Sequence, residues 1–333
     1  MRNASTPRIA VIALGGTIAM TRSPDGDGAA PELDADDLLE SVPGLAERGV
    51  ELTTHTLRSV PSPSLGLADL AELTTLVDKL ADSDTDGVVV TQGTDTLEES
   101  AFFLDLTVRA DIPLVVTGAM RSPSLAGADG PANLLAAIAV AAEPAVRGLG
   151  CLVVMSDEIH SSRHVRKTHT TSTAAFASPD TGPIGHLVEG TPRLLVRPEA
   201  RTVLPRPDAP DPRTVPVVPT ALGDDLALLR PYRPGLDGLV VAGFGVGHVP
   251  EDTVDLLATY AARVPVVLAT RTGAGAVHRA SYGYPGSEQD LQRRGLINAG
   301  FLDPFKARIL LVRLLERDAG HTEISDTFAA LAG

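Results

Sequence analysis

Short apolar runs constrain this chain more than any other feature. Six are rich in Val, Ile and Leu: Ile9–Leu14, Val88–Val90, Leu114–Val116, Leu152–Met155, Leu239–Val241 and Val264–Leu268. Each is continuously apolar, not alternating, and each ends in small or turn-forming residues. A strand with no polar face must be covered on both sides, as in a parallel sheet sandwiched by helices. The segments between carry the complementary pattern. Leu67, Leu70, Leu73, Val77 and Leu80 recur at helical spacing, and Leu97–Val108, Asn133–Ala142, Asp252–Ala262 and Ala307–Leu315 read alike. This alternation predicts an α/β fold whose sheets are mostly parallel.

One stretch breaks the rhythm. Residues 192–219 hold eight of the 26 prolines, among them Pro205, Pro207, Pro210 and Pro212. Such density predicts neither a helix nor a central strand, but a semi-rigid linker. A chain of 333 residues suits about two domains at roughly 100–200 residues each. The expected division is a larger domain over 1–195, a linker over 196–219 and a smaller domain over 220–333.

Charge and cysteine content narrow the function classes. Lys and Arg total 28 against 42 Asp and Glu, a net charge of -14. Nucleic acids and anionic membranes select basic surfaces, so neither is an expected partner. The single cysteine, Cys151, excludes an intrachain disulfide framework. It lies in an apolar run and reads as an inert core thiol. The run Ile9–Leu14 is too short for the apolar core of a secretory signal, and no stretch reaches membrane-spanning length. A cytoplasmic location is the expectation.

In an open parallel sheet, ligands bind beyond the carboxyl ends of the strands. Three such ends combine glycine with a hydroxyl or a charge: Gly15-Gly16-Thr17-Ile18-Ala19, Thr91-Gln92-Gly93-Thr94-Asp95-Thr96-Leu97-Glu98-Glu99, and Thr117-Gly118-Ala119-Met120-Arg121. Taken singly, each reads as helix caps and turn glycines. Two Gly-Thr loops on strand ends of one domain can instead face each other across a cleft. A threonine hydroxyl needs an activating base to act as a nucleophile. Asp95, the histidines and a lysine able to shed its proton are the candidates. Of the lysines, Lys79 ends an amphipathic helix and Lys306 opens another. Lys167 sits in a polar loop after Leu152–Met155.

Together these segments resemble the two signatures of the bacterial-type L-asparaginase family. The likeness continues through Phe103-Leu104-Asp105-Leu106, Ala128-Asp129-Gly130-Pro131, Lys167-Thr168, Thr170-Thr171, Ala242-Gly243-Phe244-Gly245 and Pro304-Phe305-Lys306-Ala307-Arg308. It spans nearly the whole chain in order.

The resemblance implies a two-domain fold: a larger N-terminal, mostly parallel sheet domain with flanking helices, and a smaller C-terminal α/β domain. It implies an amidohydrolase that converts L-asparagine to L-aspartate and ammonia without metal or cofactor, with minor glutaminase activity. Thr17 becomes the nucleophile, and Thr94, Lys167 and Asp95 a proton relay. Asp95 also takes the substrate's α-amino group. Ser62 holds the α-carboxylate, with Ser64 as the alternative, and Gly16 and Gly93 contribute backbone groups. The family's assembly, a homotetramer built as a dimer of dimers, sets each active site between the larger domain of one subunit and the smaller domain of its partner.

Three departures stand out. The family's Tyr in the loop after the first signature is missing from residues 20–33, its position falling near Gly28. Tyr282 or Tyr284 is the candidate replacement. His248 stands where many members have Asn. The acidic contact from the neighbouring subunit falls near both Tyr282 and Glu288.

Other readings compete. A catalytically weak asparagine-binding sensor fits the missing Tyr, and the amidase subunit of a tRNA-dependent amidotransferase shares the signatures. The latter calls for a further N-terminal domain, whereas this chain reaches its first strand within eight residues. A nucleotide-binding protein is the general alternative for the α/β pattern. Gly243-x-Gly245-x-Gly247 lacks the third glycine of a dinucleotide loop at the required spacing. His160, His164 and His169 match no zinc spacing and sit among Arg163, Arg166 and Lys167.

Overall fold

The structure, a computed structural model, describes residues 6–22, 29–31, 35–40, 42–198, 201–206, 211–230 and 235–331. The chain divides into two compact units between Val203 and Leu204.

The first unit is built on an eight-stranded sheet. Its elements are β1 (Arg8–Ala13), α1 (Ala35–Glu40), β4 (Glu51–Thr56), α2 (Leu67–Ala81), β5 (Gly87–Thr91), α3 (Leu97–Thr107), β6 (Leu114–Thr117), α4 (Gly130–Ala141) and β7 (Cys151–Met155), with a small pair, β2 (Met20–Arg22) and β3 (Ala29–Pro31), after the first strand. Then come β8 (Glu158–Ser161), β9 (Arg166–Lys167), β10 (Phe176–Ala177), β11 (Gly185–Val188) and β12 (Thr191–Leu194). The order across the large sheet is β12-β11-β8-β7-β6-β5-β1-β4. The five strands from β7 to β4 run parallel, and β8, β11 and β12 extend them antiparallel.

Burial explains why the parallel strands were readable. Every residue of β5, β6 and β7 is buried, and only Arg8 of β1 is exposed. Ile9, Val11, Val89, Val115, Leu152 and Val154 face a core shared with Leu38 of α1 and with Leu134, Ala137 and Ile138 of α4. The alternate strand positions face the other side, where α3 packs on β6 and β7 and against α2. Cys151 is fully buried; burial raises its thiol well above the ordinary range, and the neighbouring Asp105 adds to the effect. It is an inert core thiol, as expected.

The second unit has a four-stranded parallel sheet of β13 (Val217–Pro219), β14 (Leu239–Gly243), β15 (Val266–Thr270) and β16 (Ile297–Asn298), in that order. Its helices are α5 (Val254–Ala261), α6 (Glu288–Arg293), α7 (Pro304–Leu315) and α8 (His321–Leu331). Asp303 caps α7 by accepting from the Phe305 and Lys306 N–H groups, and its carboxylate lies 3.6 Å from the buried Lys306 ammonium.

Two features differ from the sequence expectation. Pro192 and Pro219 both lie in strands, β12 and β13, so the proline-rich stretch is not all linker. Each is the edge strand of its sheet, where a missing N–H costs no ladder bond if it points outward. Lys167 is also not in a free loop: β9 pairs with β10, setting Lys167 opposite Phe176.

Candidate active site

β1 lies between β4 and β5. The chain leaves β1 for one neighbour and returns to the other, so the loops after β1 and β5 part at a topological switch point. Gly15 and Gly16 leave β1 at φ 96° and 89°, a region that side-chain-bearing residues rarely enter. A Cβ on Gly16 would stand 2.0 Å from the Gly93 nitrogen. The two glycine loops are therefore in backbone contact, and that contact sets Thr17 beside Thr94 around one cavity of about 170 Å³.

Thr17 opens a short 3-10 turn and is half-buried. Thr94 is buried in a similar turn that leads into α3. Lys167 Nζ reaches in from β9 and donates to Thr94 Oγ1 at 2.9 Å and to Asp95 Oδ1 at 2.6 Å. The lysine side chain is only 15% exposed, whereas that of Asp95 is 62% exposed. Lys167 is held at its backbone as well, where its N–H donates to the Glu98 carboxylate.

Ser62 also lines the cavity. It is buried, its Oγ accepts from the Asp95 N–H at 3.2 Å, and its carbonyl accepts from Thr96 Oγ1 at 3.1 Å. Ser64 belongs to the same 3-10 turn but is exposed and does not line the cavity. Gly16, Thr17, Ser62, Gly93, Thr94, Asp95 and Lys167 thus meet around one space.

Sequence reasoning assigned no role to Met120 or Thr170, which also line the cavity. Met120 lies in the third glycine loop, and Thr170 in the turn that joins β9 to β10. Their signal was position after a strand, not residue chemistry. Glu98 was equally overlooked, although it stands within the second signature.

The expected replacements for the loop tyrosine lie in the second unit, and Gly28 lies outside the described residues. Tyr284 Oη hydrogen-bonds His248 Nδ1 at 2.8 Å, and His248 Nε2 lies 3.2 Å from Glu288 Oε2. The other Glu288 oxygen accepts from the Ser281 and Tyr282 N–H groups at 2.7 and 2.8 Å. Burial pushes the Glu288 pKa up, but these backbone donors and His248 bring it below the usual range.

His160 hydrogen-bonds Ser178 through Nδ1 at 3.0 Å and is fully buried in β8. Burial pushes its pKa down to about 4. Among the described residues, no three His, Cys, Asp or Glu side chains group to hold a metal ion, and no helix is long and apolar enough to cross a membrane.

The chemistry of this site has known counterparts. A family model described as Asparaginase, N-terminal, matches residues 8–199, and one described as Glutaminase/Asparaginase C-terminal domain matches residues 214–328. The chain belongs to the asparaginase family. It is 40% identical to the probable L-asparaginase of Deinococcus radiodurans over 329 residues, covering 98% of each chain. It is 34% identical to L-asparaginase 2 of Escherichia coli strain K12, covering 97% of this chain and 92% of that one. The crystal structure of a probable cytoplasmic L-asparaginase from Campylobacter jejuni superposes with a TM-score of 0.87 at 31% identity, over 97% of this chain and 99% of that one.

Proposed function

We propose that this protein hydrolyses the side-chain amide of L-asparagine, giving L-aspartate and ammonia, in the cavity between Thr17 and Thr94. The observation that carries the reading is the Lys167 ammonium held between Thr94 Oγ1 and Asp95 Oδ1 at the edge of that cavity. Membership of the asparaginase family supports it independently.

Thr17 Oγ attacks the carboxamide carbon as its proton passes to Thr94 Oγ1, Thr94 passes its own to Lys167 Nζ, and Lys167 passes one to the Asp95 carboxylate. The backbone N–H at Thr94 meets the developing oxyanion, the term that most lowers such barriers. Collapse of the tetrahedral intermediate breaks the C–N bond, and the relay returns the proton to the leaving ammonia. Water then attacks the acyl-threonine ester, releasing aspartate and restoring Thr17. Asp95 takes the α-ammonium group. Ser62, with backbone groups of Gly16 and Gly93, takes the α-carboxylate.

Glutamine is one methylene longer, which a pocket discriminates by only about 1–3 kcal/mol, so slow glutaminase activity accompanies the main reaction. Catalytic residues come from the first of the two domains. The protein works in the cytoplasm as a homotetramer, a reading supported by the naming of the Campylobacter jejuni relative for the location and by family membership for the assembly. Light scattering then gives about four times the 34.6 kDa chain mass.

Ammonia release from L-asparagine and L-glutamine, compared between wild type, Thr17→Ala and Thr94→Val, tests the reaction. Wild-type turnover of asparagine, lost in both variants, is the expected result. A wild type that is stabilised thermally by asparagine without turning it over would replace this reading with an asparagine-binding sensor. Turnover that appears only with a partner subunit and a glutamyl- or aspartyl-tRNA would replace it with an amidotransferase subunit.

A further inference from the structure

Asn133 lies outside the cavity, in the first turn of α4, yet three loops converge on its side chain. Its Nδ2 donates to the Gly118 carbonyl at 3.0 Å and to Asp129 Oδ2 at 3.1 Å, and its Oδ1 accepts from the Ser156 N–H at 2.9 Å. The residue is 2% exposed, and both ends of its amide are bonded.

Each partner leads back to the site. Gly118 packs directly on Thr94: a Cβ there would stand 3.2 Å from the Thr94 methyl and 2.5 Å from the Gln92 carbonyl. Asp129 does not cap its own helix by a side-chain bond but accepts from the Met120 and Arg121 N–H groups, at 3.0 and 2.8 Å. Met120 is a wall of the cavity. Ser156 sits in the two-residue turn between β7 and β8 at φ 51°, and its hydroxyl donates to the Thr173 carbonyl at 2.6 Å. Thr173 belongs to the turn that joins β9 to β10 and carries Thr170, directly after Lys167.

We infer that Asn133 is a positioning residue for the relay, fixing Thr94 from one side and the Lys167 hairpin from the other so that the two meet at hydrogen-bond distance. The inference rests on the proposed hydrolysis of asparagine for its kinetic consequence. The substrate's α-carboxylate is held by Ser62, which Asn133 and its partners do not touch. Loosening it therefore misaligns the reacting end more than it weakens ground-state binding, and such misplacement costs up to about a hundredfold in rate at 1 Å.

Two variants test this. Asn133→Asp keeps the acceptor for Ser156 but turns the donor toward Gly118 and Asp129 into a carboxylate oxygen. At about pH 8 its kcat on asparagine is expected to fall roughly ten- to a hundredfold with KM within about twofold of wild type. Below about pH 6 the rate is expected to recover relative to wild type, because a carboxyl beside Asp129 takes a proton readily and again donates to Gly118. Ser156→Gly removes only the hydroxyl tie to Thr173, at a φ that glycine prefers. Its kcat is expected to fall by about two- to fivefold with Tm unchanged or higher, and this variant carries the test if Asn133→Asp does not fold.

Amide exchange is read alongside: residues 118–121 and 168–175 should exchange faster in Asn133→Asp, and 168–175 alone in Ser156→Gly, while 62–65 are unchanged in both. Wild-type kcat in both variants, or unchanged exchange in the two loops, would overturn the inference. So would equal losses of Tm, kcat and substrate affinity, the pattern of a residue that holds only the fold. A wild type without asparaginase activity would refute the proposed function alone, since the exchange pattern still decides the role of Asn133.

Discussion

Both parallel sheets end in glycine turns at their carboxyl edges, yet the two ends are used differently. In the first unit, the turns after β1 and β5 touch through Gly16 and Gly93, and the side chains beyond them stand around a cavity. In the second unit, the groups at the same edge bond one another. Phe244 and His248 close a tight turn after β14 by paired backbone bonds, and Thr270 Oγ1 donates to the Gly245 carbonyl. The Arg271 guanidinium lies over the Phe244 ring at 4.4 Å and donates to the Thr220 carbonyl at 2.7 Å. Sheet topology supplies the place for a site. In the first unit the hydroxyls, the ammonium and the carboxylate bond one another too, but they do so around a cavity that they line.

The sharpest way to break this contrast is at the glycines. Gly16→Ala forces a Cβ into the Gly93 backbone at a φ that L-residues avoid, so we expect a loss of more than about 4 kcal/mol in stability and no measurable turnover. Chemical denaturation and ammonia release read the two effects. Next comes Lys167→Met, which keeps the side-chain length and removes the relay's cation. Turnover should fall by about 10²–10⁴-fold, and circular dichroism should show the fold intact.

Acid should weaken the larger sheet. His160 is buried in the larger sheet with its folded pKa at about 4, below the ordinary value of 6.5. The unfolded chain therefore binds the proton first, and stability present above pH 6.5 is lost as pH falls toward 4. Glu158 Oε2, 3.2 Å from His160 Nε2, favours the protonated ring and offsets part of this, so the loss is about 1–3 kcal/mol. Denaturant midpoints measured across that window should fall for wild type and stay flatter for His160→Gln. The smallest effect is expected at Gly245, whose φ is 48° with open space where a Cβ would stand. Gly245→Ala should cost about 1–2 kcal/mol, the backbone penalty alone, and leave turnover near wild type.

What could be read from the sequence follows the same division between buried and half-buried chain. β1, β5, β6, β7, β14 and β15 announce themselves because burial on both faces demands unbroken apolar runs. β8, β11 and β12 do not: Glu158–Ser161, Gly185–Val188 and Thr191–Leu194 are four residues each and mix charge, Pro and Gly with apolar side chains. The β7–β8 turn folds the chain back so that they extend the sheet antiparallel to β7. Around the cavity, Thr17 and Thr94 stand directly beside glycines after strands, with Asp95 next in line, a pattern visible in one dimension. Lys167 depended on family resemblance, because nothing in its own segment predicts the pairing with Phe176. The choice between Ser62 and Ser64 needed the turn itself: two positions apart on a helix of three residues per turn, they face different ways. Asn133 was invisible as more than a helix residue, since its partners lie 15 and 23 positions away.

The central place of β1 has a consequence for how the chain is made. Ile9 pairs with Leu52 on one side and with Gly87 on the other. The strand from Ile9 to Leu14 is therefore synthesised well before either neighbour. At about 5–20 residues per second, it waits for seconds before residue 91 leaves the ribosome. Until residues 51–56 emerge, a fully apolar segment has both hydrogen-bonding edges open, and until residue 91 follows it still has one, which makes it the natural point for chaperone capture or for mispairing between nascent chains.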